Sequence, residues 1–314
     1  MKRIALIKDL TDLWTIYKPE LEKYGYEVVL LEVFKKQDYD RLLNEKWDAL
    51  IWRAKHDPKI RTLAKRLLYF FDYELKVKTF PSWNCYWHYD DKIAQSQIFI
   101  KYNIPGPNTY LFFDRNEALD FVTNKATYPI VYKSSSGAGS SNVELLKNSF
   151  SAKLYVKKVF GKGKETFFKE DLHRGYVYFQ EYLKNNEGDY RIVCFGKERI
   201  FGFFRANRPN NKFASGSGII EYRTIPNDLL EFVYSVHGKL NFPTVMSYDI
   251  MKDNNNNWVM EEMSVIYGDL TSEERYKQSH HYYVNDGQFI ESEVTDDIQR
   301  YFISSLLKSW GWIG

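Results

Sequence analysis

Strand-like and helix-like patterns alternate along the chain up to residue 80. Short apolar runs typical of strands occur at residues 4–7, 27–33, 49–52 and 76–80. Between these runs, apolar positions at helical spacing occur at residues 10–24, 38–44 and 58–73. This alternation predicts βαβ units around a parallel sheet. No glycine follows the first strand, so the dinucleotide-binding fingerprint is absent and we expect a structural or substrate-binding role for this region.

Composition excludes several classes of protein. The chain has 314 residues, of which 44% are hydrophobic, enough to build a large core in two or three domains. Lysine and arginine number 44 against 41 acidic residues, a balance that argues against nucleic acid as a partner. Cys85 and Cys194 have no metal-ligand spacing, which argues against zinc and favours a reducing compartment. No apolar run suggests a signal peptide or a membrane span, so we expect a cytoplasmic protein.

At residues 128–143, a lysine and a loop of small residues separate two apolar runs. The first run ends at Lys133, and glycine, alanine and serine fill the loop before the second run begins at Val143. Small residues let backbone N–H groups converge on an anion, and a lysine adds positive charge. The segment therefore has two interpretations, a phosphate-binding loop or a flexible surface hairpin. It matches neither of the common glycine-rich nucleotide motifs.

Two hairpins are predicted after residue 189, the first from strands 190–195 and 199–204, and the second carries carboxylates. Its strands are residues 246–251 and 258–264, joined by a turn rich in asparagine. Asp249 on the first strand faces a glutamate on the second, and Mg²⁺ prefers such oxygen ligands. Strict alternation places Glu262 on one face of its strand and Glu261 on the other, and spacing alone leaves both as alternatives.

Taken together, four segments resemble the ATP-grasp fold over about the last 230 residues. They are Asp91-Lys92 followed by 103–109, the loop segment 128–143, the strand 179–183 followed by 188–196, and Asp249 with residues 261–264. The resemblance implies an α/β fold with α+β elements in its C-terminal part. A Rossmann-like pre-ATP-grasp domain is expected at residues 1–85. A small central subdomain with the phosphate loop would span 86–183, and a C-terminal subdomain with the metal site would span 184–314.

The resemblance also implies the site residues. ATP contacts are expected from Lys92, Lys133, Ser136, Gly137, Gly139, Ser140, Gln180, Glu181, Tyr182, Leu183 and Asp189. Mg²⁺ is expected on Asp249 and Glu262, with Ser264 where the family has asparagine and Glu261 as the alternative ligand. Arg205 and Asn207 are the expected catalytic residues, although an ordinary basic loop would look the same.

Two further arginines are left open by the sequence. Arg191 lies close to Asp189 in sequence, and an alternative to a role in the site is a structural ion pair between the two. Arg53 and His56 end the third strand, where open α/β sheets bind ligands, so they face either a substrate carboxylate or solvent.

The activity implied by the resemblance is an ATP- and Mg²⁺-dependent ligase. It would join a small-molecule or peptide carboxylate to an amine, or less often a thiol, through an acyl-phosphate. Two alternatives remain, a kinase that stops at phosphoryl transfer and a nucleotide-binding protein without catalysis; the missing asparagine motivates the second. A homo-oligomer is possible, and no membrane partner is expected.

Overall fold

The computed structural model is a mixed α/β fold with both parallel and antiparallel sheets. It describes residues 1–9, 11–134, 137, 142–184, 186–209, 214, 218–267, 273–294 and 296–314. The strands are β1 Arg3–Ile7, β2 Glu27–Leu31, β3 Ala49–Ile51, β4 Lys78–Phe80, β5 Thr109–Phe112, β6 Ile130–Lys133, β7 Val143–Leu146, β8 Val177–Glu181, β9 Gly188–Phe195, β10 Arg199–Ala206, β11 Ile220–Glu221, β12 Val245–Lys252, β13 Trp258–Ser264, β14 His280–Asn285 and β15 Gln288–Glu291. The helices are α1 Trp14–Lys23, α2 Lys36–Asn44, α3 Pro58–Leu68, α4 Trp83–Tyr86, α5 Lys92–Lys101, α6 Arg115–Asp120, α7 Ser149–Phe160, α8 Asn227–Leu240, α9 Glu273–Gln278 and α10 Ile298–Ser309.

The first sheet is parallel, with strand order β2-β1-β3-β4. This confirms the parallel sheet predicted from the alternating patterns. Asp57 caps α3 by accepting hydrogen bonds from the backbone N–H groups of Lys59 and Ile60, with Pro58 at the first helical position. A π-helical turn, Tyr69–Glu74, continues α3. The helix predicted at residues 58–73 is therefore α-helical up to Leu68 and π-helical after it.

The second sheet is antiparallel, with order β5-β8-β6-β7, and has its own core under α6 and α7. Tyr132 and Phe179 are paired across strands and belong to that core. Because side chains alternate along a strand, the cross-strand pair Lys133 and Tyr178 lies on the opposite face. That face is turned away from the second core.

The third sheet is antiparallel and contains both predicted hairpins. Its order is β13-β12-β9-β10-β14-β15, and β11 pairs with β10. Helix α10 joins this sheet to the first one, because the ring of Phe302 lies 5.3 Å from Tyr17, 4.6 Å from Phe80 and 6.5 Å from Phe195. The two sheets therefore share one hydrophobic core. None of the described helices has the length and apolar character needed to span a membrane.

Candidate active site

A β-bulge places two adjacent glutamates of β13 in the same cluster of charges. Asp249 pairs with Glu262 while the next residue, Ile250, pairs with Met260, so Glu261 is the extra residue. A bulge interrupts the alternation of side chains, so the expectation that Glu261 and Glu262 point to opposite faces is wrong. The bulge brings both glutamates to lysines, and spacing could not have revealed it.

Two lysines from separate elements reach these glutamates. Lys133, at the end of β6 and 5% exposed, forms an ion pair with Glu261. Lys92, the first residue of α5 and 8% exposed, has its Nζ 3.9 Å from Oε2 of Glu262. These two ion pairs therefore join β6 and α5 to β13 of the third sheet.

Helix α5 is fixed to the edge of the third sheet by a side-chain amide. Gln95 donates from Nε2 to the carbonyl oxygen of Met263 at 2.8 Å and accepts from its N–H at 3.1 Å. Asp91 caps the helix by accepting from the N–H of Ala94. These contacts hold Lys92 beside Glu262. Sequence reasoning missed Gln95, because an amide inside a helix carries no signal of its partner.

Four charged residues on β9, β10 and β12 form a buried network behind the glutamates. Arg191 binds Asp249 through two bonds, Nε to Oδ1 at 2.9 Å and Nη2 to Oδ2 at 2.8 Å. Arg205 binds Asp189 at 2.6 and 2.9 Å and also reaches Oδ2 of Asp249 at 2.7 Å. These contacts therefore pair Arg191 with Asp249 and Asp189 with Arg205, whereas the sequence left open a pairing of Arg191 with Asp189.

The carboxylates respond differently to burial. Burial raises the pKa of Glu262, and the nearby Lys92 opposes the rise. Burial also acts to raise the pKa of Asp249, but Arg191 and Arg205 hold it below its usual value. For Asp189, burial raises the pKa in spite of Arg205. At neutral pH, Asp249 is thus an ionised carboxylate whose charge is already compensated.

Gln180 and Glu181, two of the expected ATP contacts, lie on opposite faces of the second sheet. Gln180 lies on the face of Lys133 and donates to Thr109 Oγ1 at 3.0 Å and to the hydroxyl of Tyr178 at 3.1 Å. Glu181 lies on the other face, where it accepts from the backbone and side-chain N–H groups of Asn108. The structure does not bring the Glu181 side chain to Lys133.

The remaining predicted residues lie close to the cluster in sequence but make other contacts. Tyr182 accepts from Asn254 at 3.4 Å through its carbonyl oxygen, and Leu183 is buried. Asn207 donates from Nδ2 to the carbonyl oxygen of Asn186 at 2.7 Å, while its Oδ1 is buried and accepts no hydrogen bond from a described residue. Ser264 donates to the carbonyl oxygen of Ile266 at 2.8 Å, which leaves its hydroxyl oxygen able to act as a ligand.

Of the predicted phosphate loop, Gly137 is described, while Ser136, Gly139 and Ser140 lie outside the described residues. The N–H of Gly137 donates to Oδ1 of Asp90 at 2.8 Å, and Arg61 binds Oδ2 of Asp90 at 2.5 Å. Gly137 has φ = 129°, and an added Cβ would overlap the amide of Asn142. Asp90 has a positive φ of 51°, and sequence reasoning passed over this residue.

The donor chemistry fits Mg²⁺. Among the described residues no three histidine, cysteine, aspartate or glutamate side chains are grouped as a metal site. Mg²⁺, however, usually takes one or two carboxylates and completes its shell with phosphate and water. Glu262 accepts no hydrogen bond from the described part of the chain, so its oxygens are open to a hard cation. Both carboxylate oxygens of Asp249 contact arginine nitrogens, so only their remaining lone pairs are available to a metal.

Comparison with known proteins identifies proteins that are similar to this chain. No protein-family profile matches the chain. Over 176 residues, it is 26% identical to the alpha-aminoadipate–LysW ligase LysX of Saccharolobus solfataricus, and the match covers 56% of this chain. The chain spans 61% of the length of that curated relative.

Solved structures match over more of the chain. ATP-grasp ligase PsnB, complexed with minimal precursor, Mg and ADP, superposes with a TM-score of 0.59 at 13% identity, covering 98% of this chain and 97% of PsnB. The N5-carboxyaminoimidazole ribonucleotide synthetase of Thermotoga maritima gives 0.60 at 15% identity, covering 98% and 76%. At these identities the likeness is one of fold.

Proposed function

We propose that this chain, which has the ATP-grasp fold, is an ATP- and Mg²⁺-dependent ligase that joins a carboxylate to an amine through an acyl-phosphate. The observation that carries the proposal is the pairing of Lys133 with Glu261 and of Lys92 with Glu262, opposite Asp249. Two buried lysines suit phosphate oxygens, and adjacent carboxylates suit the metal that accompanies them.

The two ion pairs are suited to exchange partners when nucleotide and metal bind together. Phosphate oxygens would take Lys92 and Lys133, and the glutamates released by that step would ligate Mg²⁺ with Ser264 and an open position on Asp249. The metal, when bound, neutralises charge on the phosphates. Each charged side chain then trades one opposite charge for another, so none is left buried and unpaired.

Arg205 is the proposed group beside the transferred phosphate. It is 3% exposed, and its guanidinium is fixed in orientation by Asp189 and Asp249. A preoriented donor aimed at developing charge costs no reorganisation during the reaction. The open Oδ1 of Asn207 is a candidate acceptor for the amine.

The remaining parts follow the same proposal. Residues 1–85 form the Rossmann-like pre-ATP-grasp domain, 86–183 the central subdomain and 184–314 the C-terminal subdomain. The backbone of residues 180–183, with Asp189 nearby, contacts the nucleoside. LysX is named for alpha-aminoadipate and LysW, and PsnB was solved with a precursor, so we propose amino-acid or peptide substrates.

Binding of Mg·ADP tests the nucleotide site. Lys133→Met and Glu262→Gln should weaken Mg·ADP binding at least tenfold in calorimetry. Matched controls are Lys157→Met on the exposed side of α7 and Glu231→Gln on the exposed side of α8, which should bind as the wild type does. A wild type that binds no Mg·ADP, or site variants that bind as the controls do, would contradict the proposal.

Turnover then separates ligase from its alternatives. ADP release that requires both an acid and an amine, drawn from panels of amino acids and peptides, supports the ligase. Phosphoryl transfer in the absence of amine identifies a kinase. Tight Mg·ADP binding without turnover on any panel identifies a nucleotide-binding protein that lacks catalysis.

A further inference from the structure

A cavity of about 400 Å³ opens at the carboxyl ends of β1, β2 and β3. Its lining includes Lys8, Phe34, Lys35, Trp52, Arg53 and Lys55. Ligands of open parallel sheets bind at this edge, because the loops that follow the strands converge there. None of these residues belongs to the nucleotide and metal cluster described above.

Arg53 is a buried cation with neutral partners. It is 3% exposed; Nη1 donates to the hydroxyl of Tyr17 at 3.2 Å and Nη2 to the carbonyl oxygen of Tyr267 at 2.9 Å. Its guanidinium carbon lies 4.7 Å from the centre of the Tyr267 ring. Nε has no hydrogen-bond partner. Asp9, in the same lining, acts on the charge of Arg53 without forming an ion pair with it among the described contacts. A buried charge without a close counter-ion is costly, and a ligand carboxylate would supply one.

The rest of the lining combines three lysines with the carboxylates of Asp9 and Glu32 and with aromatic walls. Lys8 and Lys35 share the single carboxylate of Glu32, at 3.8 and 3.0 Å. The rings of Phe34 and Trp52 meet edge to face with centroids 6.4 Å apart. Phe34 is 53% exposed, so its ring is accessible to a ligand in the cavity. The cavity thus offers charge at one end and apolar surface beside it.

Arg53 is linked to the strand of the two glutamates through Tyr267. Tyr267, which holds Arg53, follows shortly after β13, the strand that carries Glu261 and Glu262. Burial raises the pKa of Tyr89, and the charges of both Arg53 and Glu262 act on its hydroxyl. Arg53 and Glu262 therefore both act on one buried hydroxyl, and Tyr267 ties Arg53 to the segment that follows the glutamates.

We propose that this cavity anchors one substrate of the ligase through a carboxylate on Arg53, with an aromatic or long aliphatic group against Phe34 and Trp52. Arginine suits this role because its planar fork matches a carboxylate. The inference rests on the proposed function in one respect, that the occupant is a substrate. A free acid and the C-terminus of a peptide share this chemistry.

Ligand-observed NMR on the full chain tests the site with 3-phenylpropionate and its neutral amide. The acid should bind and the amide at least tenfold more weakly. Phe34→Ala should weaken the acid several-fold, and Arg53→Met should abolish its binding, while Mg·ADP affinity stays unchanged in both. A short peptide ending in phenylalanine tells the two sources apart. Tighter binding of the peptide than of 3-phenylpropionate, lost when its C-terminus is amidated, identifies a peptide C-terminus. Tighter binding of 3-phenylpropionate identifies a free acid.

The outcomes keep the two proposals separate. Equal binding of acid and amide, no saturable binding of the acid, or wild-type binding by Phe34→Ala and Arg53→Met would overturn the subsite. If Arg53→Met does not fold, the comparison of acid with amide and the Phe34→Ala variant still decide. Mg·ADP binding without acid binding refutes the subsite alone, and acid binding without Mg·ADP binding refutes the proposed function alone.

Discussion

Replacing Asp249 with asparagine should destabilise the whole protein, even though Asp249 is a proposed metal ligand. Its carboxylate makes three nitrogen–oxygen contacts of 2.7 to 2.9 Å with Arg191 and Arg205 and is 7% exposed. Asparagine keeps one oxygen and turns an N–H₂ group toward an arginine N–H. The substitution therefore removes charge and sets donor against donor.

The expected loss follows from the network. Removing one partner of a buried ion pair costs about 3–5 kcal/mol. Asp189 still compensates Arg205 in the variant, so we expect the lower end, about 3 kcal/mol. For a chain of 314 residues that corresponds to a fall in melting temperature of roughly 4–5 °C.

Urea denaturation of the metal-free protein measures this loss, with Asp286→Asn as the control. Asp286 is exposed in a turn with φ = 47°, a conformation that asparagine accepts, so its replacement should change stability by less than about 0.5 kcal/mol. The arginines hold the pKa of Asp249 below its usual value, so its contribution is complete above about pH 4 and is lost only as the pH falls further. A loss below about 1 kcal/mol, or one that shrinks between pH 8 and 5, would refute the reasoning.

Four further predictions concern single residues. Glu261→Gln frees Lys133, so metal-free ADP should bind up to about fivefold more tightly in calorimetry while its dependence on Mg²⁺ weakens. Because burial raises the pKa of Glu262, Mg²⁺ affinity should begin to fall at a higher pH than for an ordinary glutamate, and Glu262→Gln should lose that pH dependence. Gly137→Ala should weaken Mg·ADP binding and lower the urea midpoint, since alanine is strained at φ = 129° and its Cβ overlaps Asn142. Gly238→Ala, at an exposed position in α8 with open space around it, should raise stability by about 0.5–1 kcal/mol in urea; an unchanged midpoint would contradict it.

The sequence predicted the elements whose patterns are regular and local. The parallel first sheet, both hairpins and the ATP-grasp fold are confirmed, since each rests on periodic apolar positions or on motifs in a fixed order. Helix α7 was only partly readable, and α8 and the hairpin of β14 and β15 were not predicted. Helix α8 buries Leu229, Leu230 and Val233 at helical spacing, so its signal was present and was passed over.

Contacts between distant residues could not be predicted. The bulge at Glu261 depends on how β13 pairs with β12, and pairing register leaves no trace in either strand alone. The pairing of Arg191 with Asp249 depends likewise on strand register, because the two residues lie directly opposite each other on β9 and β12. The site residues themselves stay predictions until nucleotide binding is measured.

The packing of α10 against the first sheet sets an order on synthesis of the chain. Phe302 of α10 packs on Phe80 of β4, and Gln299 accepts from the hydroxyl of Tyr17 on α1. This part of the first sheet and its helix therefore stays uncovered until the residues of α10 have left the ribosome. The second sheet has a separate core and needs no such wait. The middle of the chain is therefore free to fold before its beginning, which leaves the N-terminal strands as the part that most needs protection from aggregation during translation.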